Sequence, residues 1–126
     1  MAAFFKREFQ IVGFSVKIES AGVVDREGVR VSRHTLAVMK ERGIDMSSHR
    51  SRYVGNISLE NFDHIYCIDE RVKKRLIDFD ADSSRIVILN EKNGGIPNPF
   101  HRDIEAYEKC ASLIETEVKK VIAEFI

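Results

Sequence analysis

The chain has 126 residues, of which 44% are hydrophobic and 32% are charged, and its 20 basic and 20 acidic side chains cancel at pH 7. This length predicts a single domain over residues 1–126 with one hydrophobic core. The balanced charge argues against nucleic acid or an anionic membrane as the partner of the whole domain, but leaves a local anion site of two or three groups open.

The sequence has no feature of a membrane or exported protein. No apolar run approaches the roughly 18 residues that a spanning helix needs, and the charged residues Lys6, Arg7 and Glu8 argue against a signal peptide. Two cysteines, Cys67 and Cys110, do not make a disulfide framework. We therefore expect reduced thiols and a cytoplasmic location.

Periodicity predicts three elements in the first part of the chain. Phenylalanines at helical spacing predict a short amphipathic helix over residues 2–10, and Gly13 follows it. Residues 15–20 alternate apolar and polar side chains, which predicts a strand. Ser32 is the expected N-cap of a helix that stops at Gly43.

The second part alternates strands and helices. Ser58 precedes one expected helical turn, and the apolar runs 64–68 and 85–89 predict buried parallel strands. Asp69 is the expected N-cap of a helix between these strands, and a long apolar stripe predicts a helix from Asp103 onward. The alternation predicts an α/β fold with a parallel sheet flanked by helices.

Four segments carry a resemblance to a known family. In their order and spacing they resemble the low-molecular-weight protein tyrosine phosphatases over roughly three quarters of the chain. The segments are Glu-Ser-Ala-Gly at 19–22, Gly-Ile-Asp at 43–45 with His-Arg-Ser-Arg at 49–52, the strand and turn at 61–70, and Ile-Pro-Asn-Pro-Phe at 96–100 followed by Tyr107 and Cys110.

The resemblance implies a three-layer α/β/α fold with a small parallel sheet in the Rossmann-like topology of these phosphatases. In the family, the strand before the phosphate loop lies between the strands that correspond here to residues 15–20 and 63–68. The 126 residues contain no counterpart of that strand. We expect either that the two remaining strands pair directly, or that another chain fills the slot in a strand-exchanged dimer or other homo-oligomer.

The resemblance also implies a chemistry for which this chain lacks residues. The family uses a Cys-x5-Arg loop, in which the thiolate attacks phosphorus and the Arg holds the phosphoryl oxygens, and an Asp that protonates the leaving group. Here Cys67 is matched by Lys73 and Cys110 by Thr116, while Asn98 stands at the position of the Asp. We therefore expect a catalytically inactive phosphatase-like domain.

Two alternatives stay open. In the first, the chain is a shortened or mis-started form of an active tyrosine phosphatase or of a related arsenate reductase. In the second, it is an oligomerising interaction module. Reading the DNA upstream of Met1 distinguishes the first alternative.

The candidate binding residues for an anion, a phosphoprotein or another partner are His49, Arg50, Arg52, Asn98 and Phe100. Cys67 is expected to be a buried strand cysteine rather than a replacement nucleophile, because apolar surroundings raise a thiol pKa. Asp103 is expected to stabilise the first turn of the last helix rather than to replace the general acid of the family. The histidines have no metal-ligand spacing with either cysteine, so we expect no metal and no cofactor.

Overall fold

The computed structural model describes residues 1–125. In this range the chain forms four α-helices and two short strands. They are α1 (Ala2–Val12), α2 (Arg33–Glu41), β1 (Ile65–Cys67), α3 (Glu70–Asp78), β2 (Ile86–Ile88) and α4 (Ile104–Phe125). Short 3-10 turns lie at Val54–Asn56, Leu59–Asn61, Ser83–Arg85 and Glu91–Asn93.

One compact unit comprises residues 1–20, 31–49 and 99–125. In it, α1 and α2 both pack against α4. The long helix α4 contributes the buried residues Ala111, Val118 and Ile122, as its apolar stripe predicts. Helix α1 contributes the buried phenylalanines Phe4, Phe5 and Phe9.

The second compact unit comprises Ala21–Arg30 and Arg50–Asn98. Its sheet consists of β1 and β2, which pair in parallel, with Ile65 opposite Ile86 and Cys67 opposite Ile88. Helix α3 connects the two strands and contacts β2. The buried core of this unit is formed by Val54, Cys67, Leu76, Ala81, Ile86 and Ile88.

Three predicted helix starts are confirmed by hydrogen bonds. The Ser32 side chain accepts a bond from the Thr35 amide at 3.2 Å. Asp69 accepts from the Val72 amide at 2.9 Å, and Asp103 accepts from the Ala106 amide at 3.1 Å. Each side chain satisfies an amide that the first turn of a helix leaves without an intrahelical partner.

The predicted strand at residues 15–20 is wrong. These residues form no regular secondary structure, and Phe14 and Val16 remain about half exposed. Alternating apolar and polar side chains indicate that a segment is compatible with a β-sheet. A strand forms only where a neighbouring strand satisfies its backbone hydrogen-bonding groups. The expected direct pairing of residues 15–20 with 63–68 is also wrong, because residues 15–20 form no strand and the sheet of the described residues consists of β1 and β2.

The fold class is confirmed as α/β with a small parallel sheet. Within residues 1–125, none of the helices has both the length and the apolar character required to cross a membrane.

Candidate functional site

The basic segment at residues 50–54 is extended and is held by the segment at residues 21–30. Arg50 forms an antiparallel bridge with Arg30, and Tyr53 forms a parallel bridge with Gly22. The Gly22 amide donates to the Arg52 carbonyl oxygen at 2.8 Å. Residues 20 to 31 positions apart therefore meet in one ribbon, which we call the arginine ribbon (residues 21–30 and 50–54).

Ser51 joins the two segments through both its backbone and its side chain. Its amide donates to the Val29 carbonyl oxygen, and its carbonyl oxygen accepts from the Gly28 amide, each at 2.8 Å. The Ser51 hydroxyl oxygen accepts from the Val29 amide at 3.0 Å, and the hydroxyl donates to the Arg26 carbonyl oxygen. Four hydrogen bonds at one residue define the register of the ribbon.

Glu27 provides a second attachment. Its carboxylate accepts a hydrogen bond from the Tyr53 amide at 2.6 Å and another from the Asn56 side-chain amide at 3.1 Å. The bond from the Tyr53 amide, followed by that from Asn56, holds the pKa of Glu27 below its usual value. The Arg52 guanidinium lowers the pKa further. Glu27 is therefore a charged group beside Arg52.

The structure places Arg50 and Arg52 together on this exposed ribbon. Asn98 is exposed and belongs to the same unit. His49 and Phe100 belong to the other unit, where His49 is half-buried and the Phe100 ring centroid lies 3.9 Å from that of His101. The five-residue binding site stays a prediction.

Sequence reasoning missed Arg30. Arg30 lies directly opposite Arg50, but no local pattern links the two residues because they are 20 positions apart. The only available signal was the loop between Gly22 and Val31, whose length allows it to return alongside a second extended segment.

Neither cysteine is an activated thiol. Cys67 is buried in β1, and this burial raises its pKa to about 11. Its thiol donates to the Asp69 carbonyl oxygen at 3.7 Å. Cys110 is half-buried in α4, and burial raises its pKa as well. A nucleophilic cysteine needs a lowered pKa, so both thiols have the opposite environment.

The amino group of Met1 lies in an unusual environment. The surrounding protein desolvates it, which lowers its pKa, while Cys110 has the smaller opposite effect. The Met1 carbonyl oxygen accepts bonds from the Phe4 and Phe5 amides at 3.0 and 3.2 Å. Met1 is thus the N-cap residue of α1.

Metal ligands are not grouped in the described part of the chain. Residues 1–125 contain no cluster of three or more His, Cys, Asp or Glu side chains placed to hold a metal ion.

Comparison with known proteins decides the family. The family model described as "Low molecular weight phosphotyrosine protein phosphatase" matches residues 1–125. The chain belongs to this phosphatase family. The match extends the resemblance seen in the sequence to the whole described chain.

Individual relatives agree with this assignment. The chain is 28% identical to a protein-arginine-phosphatase from Geobacillus stearothermophilus over 126 residues, which is 96% of this chain and 83% of the relative. A solved arginine phosphatase structure from the same organism matches with a TM-score of 0.85 at 25% identity, covering 98% of this chain and 81% of that one.

A third relative supports the fold alone. The low molecular weight protein tyrosine phosphatase from T. tengcongensis matches with a TM-score of 0.85 at 24% identity, covering 98% of this chain and 87% of that chain. The chain therefore shares the α/β fold of these phosphatases. The pKa values of both its thiols, Cys67 and Cys110, are raised.

Proposed function

We propose that the 126-residue chain is a phosphatase-family domain that does not hydrolyse phosphate esters and acts by binding. The observation that carries this proposal is the state of its two thiols. Phosphate transfer in this family requires a thiolate beside an Arg that holds the phosphoryl oxygens. Cys67 has a pKa of about 11, and neither cysteine is followed by Arg six positions later.

Asn98 supports the same proposal. It stands at the position where the resemblance implies a general acid. An amide neither donates a proton to a leaving group nor accepts one from water. The 126 residues thus contain no counterpart of the family's nucleophilic Cys or of its general-acid Asp. The two free cysteines also support the proposed cytoplasmic location.

Hydrolysis assays test this proposal. The purified chain is incubated with p-nitrophenyl phosphate and with a phosphoarginine peptide, since a relative is named a protein-arginine-phosphatase. We expect no phosphate release above buffer. Release that disappears in Cys67→Ser but persists in the matched variant Cys110→Ser would contradict the proposal and identify Cys67 as the nucleophile.

A second candidate function is favoured by the surroundings of Met1. Its amino group is desolvated, which disfavours an ammonium but suits the nitrogen of a peptide bond. We propose as the alternative that a preceding segment supplies the catalytic loop, making the longer protein an active tyrosine or arginine phosphatase or a related arsenate reductase.

Coding DNA upstream of Met1 separates the two candidates. An in-frame strand followed by Cys-x5-Arg-Ser favours the active enzyme, and the extended chain then hydrolyses one of the two substrates above. A stop codon in frame before any such sequence leaves the non-catalytic domain. Mass spectrometry of the protein isolated from its source reports which amino terminus is used.

The proposed partner is a second copy of the chain, which adds a strand to residues 15–20. Two observations support this interaction. The segment alternates apolar and polar residues, its Val16 is exposed by 48%, and the preceding Ile11 and Phe14 are exposed by 70% and 45%. Strand addition would cover these side chains.

Light scattering combined with hydrogen exchange tests strand addition. We expect a dimer whose amides at residues 15–20 exchange slowly, and we expect Val16→Lys to convert it to a monomer. The control is Val24→Lys, a similar change at a residue exposed by 65% in the other unit. A monomer with freely exchanging amides at residues 15–20 would rule out this partner.

A further inference from the structure

We propose that Asn93 is a site of self-modification, at which the side-chain amide is converted with water into aspartate and isoaspartate, and that Asn90 controls the rate of this conversion. The chain has five asparagines, and Asn93 is the one that precedes a glycine, Gly94. The reaction needs a close approach between the asparagine side chain and the nitrogen of the next residue, and glycine has no Cβ to hinder that approach. The modification goes beyond the proposed function and does not depend on it.

The conversion has two steps and needs water as its only co-reactant. The Gly94 backbone nitrogen loses its proton and forms a bond to Cγ of Asn93, while the bond from Cγ to Nδ2 breaks. Nδ2 leaves as ammonia with that proton, and a cyclic imide joins the two residues. Water then opens the imide. Aspartate forms when the bond from the nitrogen to Cγ breaks, and isoaspartate forms when the bond to the main-chain carbonyl carbon breaks.

The reacting residues are accessible to water. Asn93 and Gly94 are both exposed in the loop that follows β2. A Cβ built on Gly94 would meet no atom within 4 Å, so the neighbouring residues leave room for an imide ring. Access therefore does not limit the conversion, and the hydrogen bonds of the loop do.

Two hydrogen bonds hold the reacting groups in an unreactive arrangement. The Gly94 amide donates to the Glu91 carbonyl oxygen at 3.0 Å, which engages the proton that has to leave. The Asn93 side-chain amide donates to Oδ1 of Asn90 at 2.9 Å, which anchors the group that has to be attacked. The folded loop is therefore protected, and conversion requires it to open locally.

Asn90 closes this loop, which we call the asparagine loop (residues 90–95). Its carbonyl oxygen accepts from the Asn93 amide at 3.0 Å and from the Gly95 amide at 2.9 Å. Its side-chain amide donates to the Gly95 carbonyl oxygen at 3.0 Å, in addition to the bond that its Oδ1 accepts from Asn93. The Asn90 side chain thus bonds both to the reacting residue and to the last residue of the loop.

Isoaspartate at position 93 would lengthen the main chain by one CH2 group inside the asparagine loop. The end of the loop tolerates little displacement, because Gly95 lies so close to the Ile68 carbonyl oxygen that no Cβ fits there. The Ile96 amide also donates to that oxygen at 2.7 Å. Isoaspartate should therefore weaken the attachment of the loop to the end of β1, whereas aspartate adds a charge without lengthening the main chain.

Peptide mapping by mass spectrometry follows the conversion in the purified chain at neutral and mildly alkaline pH. Cleavage after arginine releases residues 86–102, in which Asn90 and Asn98 are internal controls. Asn90 precedes glutamate, and Asn98 precedes proline, which has no N–H to lose. We expect the mass gain of an amide-to-acid change at Asn93, with a rate that rises with pH and is at least about tenfold higher in guanidinium chloride than in the folded chain.

Two results would overturn the site. Absence of conversion at Asn93 in the unfolded chain would show that this residue is not modified. Equal rates in the folded and unfolded chains would show that the asparagine loop does not protect it.

Substitutions at Asn90 test its control of the rate. Asn90→Gly removes both side-chain bonds but tolerates the positive φ of this position, which is +58°, and should accelerate conversion in the folded chain about tenfold. Asn90→Asp keeps an oxygen that accepts from Asn93, so its rate should stay within about threefold of the wild type. The matched control is Asn61→Gly, the same change at an exposed position of the same unit. An unchanged rate in Asn90→Gly, or an equal increase in Asn61→Gly, would overturn the role of Asn90.

Thermal unfolding of the aged protein measures the structural consequence, after the aspartate and isoaspartate forms are separated by chromatography. Asn93→Asp is the matched control, since it carries the new charge without the longer main chain. We expect the Tm of the isoaspartate form to fall by about 2–6 °C and that of Asn93→Asp to change by less than about 1 °C. Equal Tm values would show that the modified loop keeps its attachment to β1, and the proposed consequence would then be wrong.

Discussion

At the scale of single residues, Gly95 occupies a position that only glycine fits. Its φ is +90°, and a Cβ built there would lie 2.2 Å from the carbonyl oxygen of Ile68. The amide of the next residue, Ile96, donates to the same carbonyl oxygen at 2.7 Å. The close approach is therefore maintained by a hydrogen bond at the end of β1.

Gly95→Ala is expected to lower the free energy of unfolding by about 2–4 kcal/mol. The cost of a positive φ in alanine and the cost of the overlap between its Cβ and the Ile68 carbonyl oxygen add to each other. Urea unfolding measures this loss. Gly22→Ala is the matched control, since a Cβ there meets no atom within 4 Å, and it should cost less than about 1 kcal/mol. Equal losses in the two variants would contradict the assigned role of Gly95.

Cys67 makes stability depend on pH in the alkaline range. Its folded pKa is raised from 9.0 to about 11 by burial. The folded state therefore keeps a proton that the unfolded state loses, so the stabilisation is complete below pH 9 and is lost as pH rises to about 11. The free energy of unfolding should fall more steeply from pH 9 to 11 in the wild type than in Cys67→Ala. Parallel pH profiles would show that Cys67 is not the titrating group.

At the scale of elements, α3 depends on its N-cap. The helix has nine residues, of which Leu76 is the buried one, and helices this short are marginal without tertiary contacts or caps. Asp69 accepts from the Val72 amide directly after β1. The cap therefore connects the end of a strand to the beginning of a helix.

Asp69→Ala should destabilise the protein by about 1 kcal/mol, while Asp69→Asn should retain most of the stability because Asn also caps helices. Chemical denaturation monitored by circular dichroism compares the two variants. If Asp69→Asn loses as much stability as Asp69→Ala, the charge of Asp69, rather than its hydrogen bond, stabilises α3.

At the scale of the whole molecule, the positive and negative charges are balanced. The formal net charge is zero and the isoelectric point is about 6.9. A net charge near zero removes the repulsion that keeps molecules apart in solution. Self-association at neutral pH thus has a general contribution beyond the proposed strand addition.

Solubility should be lowest near pH 7 and should increase on either side. In Lys6→Glu, a change at an exposed residue of α1, the minimum should move to lower pH because two units of positive charge are lost. Static light scattering across pH measures the net interaction between molecules. An unchanged minimum in Lys6→Glu would mean that a specific interface, not net charge, controls association.

Local patterns predicted much of this fold. Ser32, Asp69 and Asp103 identified three helix starts, and the apolar runs identified β1 and β2, because caps and periodicity act within one or two turns of chain. The same patterns predicted a strand at residues 15–20, which is wrong because strand formation depends on a neighbour that local sequence does not describe.

The candidate site was only partly predictable. Arg50 and Arg52 were recognised from a basic run, but Arg30 was not, since its bridge to Arg50 spans 20 residues. The site of His49, Asn98 and Phe100 with these arginines remains a prediction.

The sequence by itself determined three helix starts, the family and the absence of Cys-x5-Arg within 126 residues, because each is a property of residue order. Only the tertiary structure decided the requirement for Gly95 and the meeting of Arg30 with Arg50. Steric approach and backbone pairing depend on distances between residues that are remote along the chain, and folding alone sets those distances.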